Sequence, residues 1–273
     1  MKTGIIIPCY NEENRLNRQA FINFISQENN YYLCFVNDGS NDNTIGVLKE
    51  IQGVNPEKVS IIDMKKNGGK AAAVRAGSRY FYSNNKIDYI GFIDADLSTD
   101  FEDFGDLVKT LEVNNELNFV FGSRTKNASK AIEKDNIRAL ISKVINVLII
   151  LILGLSISDT QCGAKVYRAE LVPIVFTESF LSRWLFDVEI FIRMKRYFGK
   201  EKTITSIFEQ PLKRWVHMDD SKLGLKDSLE IPYRLVSIWF NYNVLSMFII
   251  DEVQTVKEPM VKIYSSSASY MAA

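Results

Sequence analysis

The chain has 273 residues, 47% of them hydrophobic, which is enough to bury a full core in one large domain or in a domain with an appendage. Its 33 basic and 33 acidic residues cancel, so no overall field draws it to nucleic acid, and attraction to phosphates must come from local clusters. Cys9, Cys34 and Cys162 are odd in number, widely spaced and free of a Cys-x-x-Cys pattern or a His-rich partner set, which suggests neither a disulfide frame nor a zinc site and fits a reducing compartment.

From Met1 the sequence runs directly into a predicted strand, with no charged lead, apolar stretch and cleavage site of the secretory kind, so a cytosolic protein is expected. Short β-branched runs predict strands over 4–8, 31–37, 59–63, 89–93 and 118–122, and helical periodicity falls between them near 15–27, 43–52, 69–83 and 101–114. This alternation implies an α/β fold with a mostly parallel sheet covered on both faces, which binds ligands beyond the carboxyl ends of its strands. The strand ends carry the chemistry. The first leads into Pro8-Cys9-Tyr10-Asn11-Glu12, the second into Asn37-Asp38-Gly39-Ser40, the third into Asn67-Gly68-Gly69-Lys70 and the fourth into Asp94-Ala95-Asp96.

Beyond residue 123 the pattern changes to a charged loop, an apolar helix from Asn136, the string Asp159-Thr160-Gln161-Cys162-Gly163, a further strand and helix, and a basic loop at 213–222. Two apolar stretches, 139–157 and 232–250, are interrupted by polar residues, and neither reads as a clean membrane span. In the first, Arg138, Ser142 and Asn146 recur every four residues with Lys143 beside them, a polar stripe on an otherwise apolar helix. Such a helix suits either a buried core or a lipid headgroup layer, and the second stretch favours the membrane surface. The last residues, 252–273, lack a core pattern and read as a loose tail.

Asp94 and Asp96 flank one small residue where an apolar strand runs out. Paired carboxylates in that place can share Mg²⁺ or Mn²⁺ with a diphosphate, because these hard cations take oxygen ligands and complete their shell with phosphate and water. Asn67-Gly68-Gly69-Lys70 lacks the spacing of a Walker phosphate loop, although a helix opening at Gly69 still offers amides, with Lys70 and Arg75 nearby.

In their order and intervals these motifs, with Gly122-Ser123-Arg124, the Asp159 to Gly163 string and Phe186-Asp187-Val188-Glu189, resemble the family 2 inverting glycosyltransferases of the GT-A fold. Within that family they look like the polyprenyl-phosphate hexosyltransferases, and Asp159-Thr160-Gln161-Cys162-Gly163 is similar to the dolichyl-phosphate glucosyltransferase subgroup. The resemblance implies that Pro8, Tyr10, Asn11 and Glu12 wrap base and ribose, that Asp38 accepts from a base N–H, and that the loop carrying Lys70 lies beside the donor nucleotide. It further implies that Asp96 binds the divalent ion while Asp94 orients the ribose or assists the metal. Ala71 and Ala164 depart from the resemblance, since the relatives usually carry a glycine and an aromatic residue there. Asp96, Asp159, Arg124 and Asp187 form the candidate catalytic set, and Arg138, Lys143, Arg214 and Lys222 a candidate acceptor-phosphate set.

The expected activity is transfer of a hexose from a nucleotide diphosphate sugar, UDP-glucose-like or GDP-mannose-like, to polyprenyl phosphate at the cytosolic membrane face. A lipid phosphate is already largely dianionic at neutral pH, with a second pKa of about 6, so it needs no general base. Asp159 then positions rather than deprotonates, Asp187 is open to a helix-capping role, and His217 is read as a surface or packing residue. A family 2 enzyme acting on a saccharide hydroxyl, with Asp159 or Asp187 as base, and a silent sugar-nucleotide sensor are the alternatives. The expected organisation is a catalytic domain over 1–222, divided at 122/123 into donor and acceptor halves, then a membrane-associated segment over 223–251 and the tail over 252–273.

Overall fold

The computed structural model describes residues 1–83, 87–124, 136–214, 225–245 and 261–264, with the backbone alone for 136–144, 225–229 and 261–264. The five predicted strands are β1 (Thr3–Cys9), β2 (Tyr31–Asp38), β3 (Val59–Met64), β4 (Tyr89–Phe92) and β5 (Phe119–Ser123). Between them lie α1 (Arg18–Gln27), α2 (Thr44–Val54), α3 (Lys70–Ser83) and α4 (Phe101–Val113). Their starts follow cap chemistry: the Asn17 side chain accepts from the Ala20 amide at α1, and Asp100 accepts from the Asp103 amide at α4.

The second half supplies α5 (Asn136–Leu153), β6 (Lys165–Arg168), a 3₁₀ turn running into α6 (Val172–Val175), α7 (Phe186–Phe198), α8 (Lys200–Ser206) and β7 (Ile207–Pro211). It continues with α9 (Leu225–Phe240), a π-helical turn over Asn241–Leu245 and β8 (Val261–Tyr264). The eight strands form one sheet in the order β7-β5-β6-β4-β1-β2-β3-β8. Strands β1 to β4 are mutually parallel, and β5 is parallel to β7. β6 enters antiparallel between β4 and β5, and β8 pairs antiparallel with β3. Four residues of the segment read as a loose tail therefore extend the sheet edge; the rest of 252–273 lies outside the described residues.

Side chains alternate across the strands and build a core on each face. Ile5, Ile7, Leu33 and Phe35 pack with Phe21, Val47, Leu48, Phe104 and Leu107 of α1, α2 and α4. Ile6, Cys34, Val36 and Phe92 pack on the opposite face with Val74 of α3 and with α5, α7 and α9. The inner face of α9 shares this second core through Leu235 and Ile238. Among the described residues no helix is long and apolar enough to cross a membrane.

Candidate active site

Because β1, β2, β3 and β4 run parallel, their carboxyl ends share one edge, and the loops that follow them are hydrogen-bonded to one another. The Asn11 amide donates to Ser40 Oγ at 2.9 Å, the Asn41 amide to Asn11 Oδ1 at 2.9 Å, and the Glu12 amide to Thr44 Oγ1 at 2.8 Å. Asn11, at φ +53°, adopts the left-handed backbone this turn needs. Pro8 sits in β1 and Tyr10 just past its end, so all four residues expected around base and ribose line this edge.

Asp38 is buried, and both its oxygens accept backbone amides, Gly68 at 2.7 Å and Gly69 at 2.8 Å. Burial pushes its carboxyl up, and the two amide bonds offset part of that rise. In this structure Asp38 therefore holds the glycine loop in place, a task the sequence did not suggest.

That loop opens α3 and presents Lys70, whose ammonium lies 2.5 Å from Asp94 Oδ1. Burial opposes the charge on Asp94, but Lys70, with Lys165 and Arg124 further out, holds its carboxyl below the usual carboxylate range. Gly163 packs against the same carboxylate; a Cβ there would stand 2.0 Å from Asp94 Oδ2, so any side chain at 163 would displace the carboxylate. Asp96 accepts the Ser98 amide on Oδ1 at 2.9 Å, and its Oδ2 has no partner among the described residues.

Arg124, just past β5, meets Asp159 in a fork: Nε lies 2.7 Å from Oδ2 and Nη2 2.9 Å from Oδ1. Burial works against the Asp159 charge, yet Arg124 keeps the carboxyl below its usual range. Asp187 pairs with Lys165 at 2.8 Å, and burial pushes this carboxyl up despite the ammonium. Asp187 stands in the first turn of α7, but the α7 start has no side-chain cap, so the capping role open to it is not the one it plays.

Lys165 is fully buried, which the sequence reading missed. Its ammonium also donates to the Cys162 carbonyl and lies 5.4 Å from the centre of the Phe92 ring. Strand alternation was the available signal: Lys165 shares a face with Tyr167, which is core, and pairs in register with Phe92.

The acceptor-phosphate set is dispersed. The Arg214 guanidinium is bound to Asp100 at 2.9 Å, Glu102 at 2.9 Å and Asp103 at 3.6 Å, at the start of α4. Carboxylates thus occupy the group expected to meet phosphate. Arg138 and Lys143 belong to α5, with side chains outside the described residues, and Lys222 and His217 lie outside them altogether.

The edge is now a set of paired charges: Lys70 with Asp94, Arg124 with Asp159 and Lys165 with Asp187. Asp96, by contrast, has no cation partner among the described residues. No cluster of three or more metal-ligating residues occurs among the described residues, so a cation here would complete its shell from phosphate and water. The residues fit that group: one carboxylate with a free oxygen stands beside another that is already fixed in place.

Residues 4–174 match the family model for glycosyl transferase family 2. The chain belongs to that family. It is 28% identical over 255 residues to a dolichyl-phosphate beta-glucosyltransferase of Trichomonas vaginalis, covering 88% of this chain and 74% of that protein. The Saccharomyces cerevisiae dolichyl-phosphate beta-glucosyltransferase is 31% identical over 259 residues, with 88% and 74% covered. Among solved structures, glucosyl-3-phosphoglycerate synthase of Mycobacterium tuberculosis, in complex with Mn²⁺, UDP-glucose and phosphoglyceric acid, superposes with a TM-score of 0.63 at 15% identity. It covers 88% of this chain and 79% of its own, and shows the shared GT-A fold. This family 2 member is a glycosyltransferase of mostly parallel α/β architecture, as its strand-end motifs implied.

Proposed function

We propose that this glycosyltransferase moves a hexose, with inversion, from a nucleotide diphosphate sugar to a polyprenyl phosphate at a membrane surface. The observation that carries the reading is the edge formed by β4 and its neighbours, where Asp94 is fixed by Lys70 and Asp96 keeps an unpartnered oxygen. Asp96 and Asp94 would hold Mg²⁺ or Mn²⁺, whose contribution when bound is to neutralise the diphosphate. Lys70 keeps Asp94 ionised and in place. The loops bearing Tyr10, Asn11, Glu12 and Asp38 form the nucleotide side of the edge.

The ion pairs favour a phosphate acceptor over a hydroxyl. A hydroxyl requires a carboxylate ready to take its proton, and Asp159 has both oxygens on Arg124 and a carboxyl held below the usual range. Asp187 is buried against Lys165. A phosphate oxygen, already charged, attacks the anomeric carbon directly while the diphosphate departs from its opposite face. Of the cations assigned to the acceptor, Arg138, Lys143 and Lys222 remain candidates, while Arg214 is held by the acids at the start of α4.

A membrane setting is supported by exposed apolar residues at helical spacing. Val147, Ile150 and Leu151 of α5 and Tyr233, Val236, Trp239 and Phe240 of α9 face outward, with Leu151 72% and Tyr233 78% exposed. α5 and α9 pack together, and exposed apolar side chains on both are of the kind a headgroup layer accepts. We assign the enzyme to the cytosolic face as a peripheral or monotopic protein.

The test is transfer of labelled sugar from a panel of UDP- and GDP-hexoses, with Mn²⁺, to dolichyl phosphate in phospholipid vesicles. Label in a butanol-extractable lipid is expected with one donor. Label only in free sugar or in a soluble saccharide would refute the acceptor.

A further inference from the structure

The glycine loop after β3 is held from both sides. Its amides at Gly68 and Gly69 donate to Asp38, and its carbonyls are taken by Arg183, which comes from the other half of the chain. Arg183 Nη2 donates to the Asn67 carbonyl at 2.8 Å and also to Asn67 Oδ1, while Nε donates to the Gly68 carbonyl at 3.2 Å. The arginine stem lies on Gly69, which has φ +88°; a Cβ there would stand 2.7 Å from that of Arg183. The Ala71 amide closes the contact by donating to the Arg183 carbonyl at 3.2 Å.

Arg183 is itself held firmly. The Leu181 and Ser182 amides donate to the two oxygens of Glu189, at 2.9 and 2.8 Å, and Ser182 Oγ accepts from the Leu185 amide at 2.9 Å. Glu189 is fully buried and also accepts from the Tyr242 hydroxyl at 2.8 Å, in the π-helical turn that follows α9. The Arg183 side chain, by contrast, is exposed, so the fold does not depend on burying it.

We propose that Arg183 is a positioning residue that holds the 67–69 loop in its nucleotide-binding shape, so that donor affinity is set in part by the acceptor half of the chain. This rests on the assignment of the strand-end edge to the donor nucleotide. The loop leads into Lys70, and it is clamped between Asp38 on one side and Arg183 on the other. A guanidinium suits the task because its planar fork reaches several carbonyls at once, whereas an ammonium is a single compact donor.

The experiment compares the whole chain with its Arg183→Met and Arg183→Lys variants, titrating UDP and GDP in the presence of Mn²⁺ by calorimetry. Melting temperatures and the donor and acceptor KM values are measured alongside. Loss of a charge-assisted cluster that orders a binding loop predicts nucleotide affinity about tenfold weaker in Arg183→Met, with Arg183→Lys recovering only part of it. Donor KM rises with it, acceptor KM stays unchanged, and the melting temperature stays close to that of the parent. Unchanged nucleotide affinity in Arg183→Met, or a melting shift with no change in affinity, would overturn the proposal. If the parent binds neither nucleotide, the donor-edge assignment itself fails and the role of Arg183 falls with it.

Discussion

Lys165 and Asp187 make a buried ion pair, and removing either partner takes from the other its direct ion-pair contact. Lys165→Met strands the Asp187 carboxylate, and Asp187→Asn strands an ammonium with no solvent exposure. Breaking such a pair costs about 3–5 kcal/mol. An unfolding entropy of about 2.1 cal/mol/K per residue over 273 residues gives about 0.57 kcal/mol/K, so each single variant should melt about 5–9 °C lower. The double variant removes both charges and retains only the unsatisfied Cys162 carbonyl, worth about 1–3 kcal/mol, or about 2–5 °C. Differential scanning calorimetry of all four proteins at neutral pH gives the cycle. If the two single losses simply add in the double variant, the pair is not coupled and the account of the buried lysine is wrong.

Gly163→Ala forces a methyl group to 2.0 Å from Asp94 Oδ2, so the carboxylate must swing away from Lys70; activity should fall about 10–100-fold while circular dichroism stays native. The Asp159 carboxyl is held below its unfolded value, so its pairing with Arg124 stabilises the protein above the ordinary carboxylate pKa and is lost as pH falls through the lowered one. Asp159→Asn should therefore lower the urea midpoint at pH 7, and the gap should close in acid; a gap independent of pH would contradict the pairing. Asp187 has the opposite sign: its raised carboxyl makes the ionised form costly, and that cost is relieved on acidification below its folded value. Trp239→Asp should release the protein from anionic vesicles in a sedimentation assay without altering turnover of a short-chain acceptor.

The first half of the fold was legible because each of its strands and helices is a local pattern. Apolar runs with polar ends placed β1 to β5, and their parallel order alone brought Asp38, Asp94 and Asp96 to one edge. The second half depends on distant partners. Nothing within Lys165–Arg168 states that the strand enters between β4 and β5 in the reverse sense, although strand alternation was enough to bury Lys165 beside Tyr167. Arg183 gave no local signal, since its contacts lie 115 and 116 residues away. Arg214 read as a free cation until three acids at the start of α4 surrounded it.

The central claim is that Asp96 supplies the negative charge needed to hold a divalent cation against the donor diphosphate. Asp96→Asn isolates that charge, because an amide oxygen can still accept the Ser98 amide and keep the turn. Initial rates of sugar transfer to dolichyl phosphate, measured for parent and variant across Mn²⁺ and Mg²⁺ concentrations, are the most direct test. The account predicts a loss of about 100-fold or more that saturating metal does not restore, with an unchanged melting temperature. Normal turnover by the variant at saturating metal would contradict it.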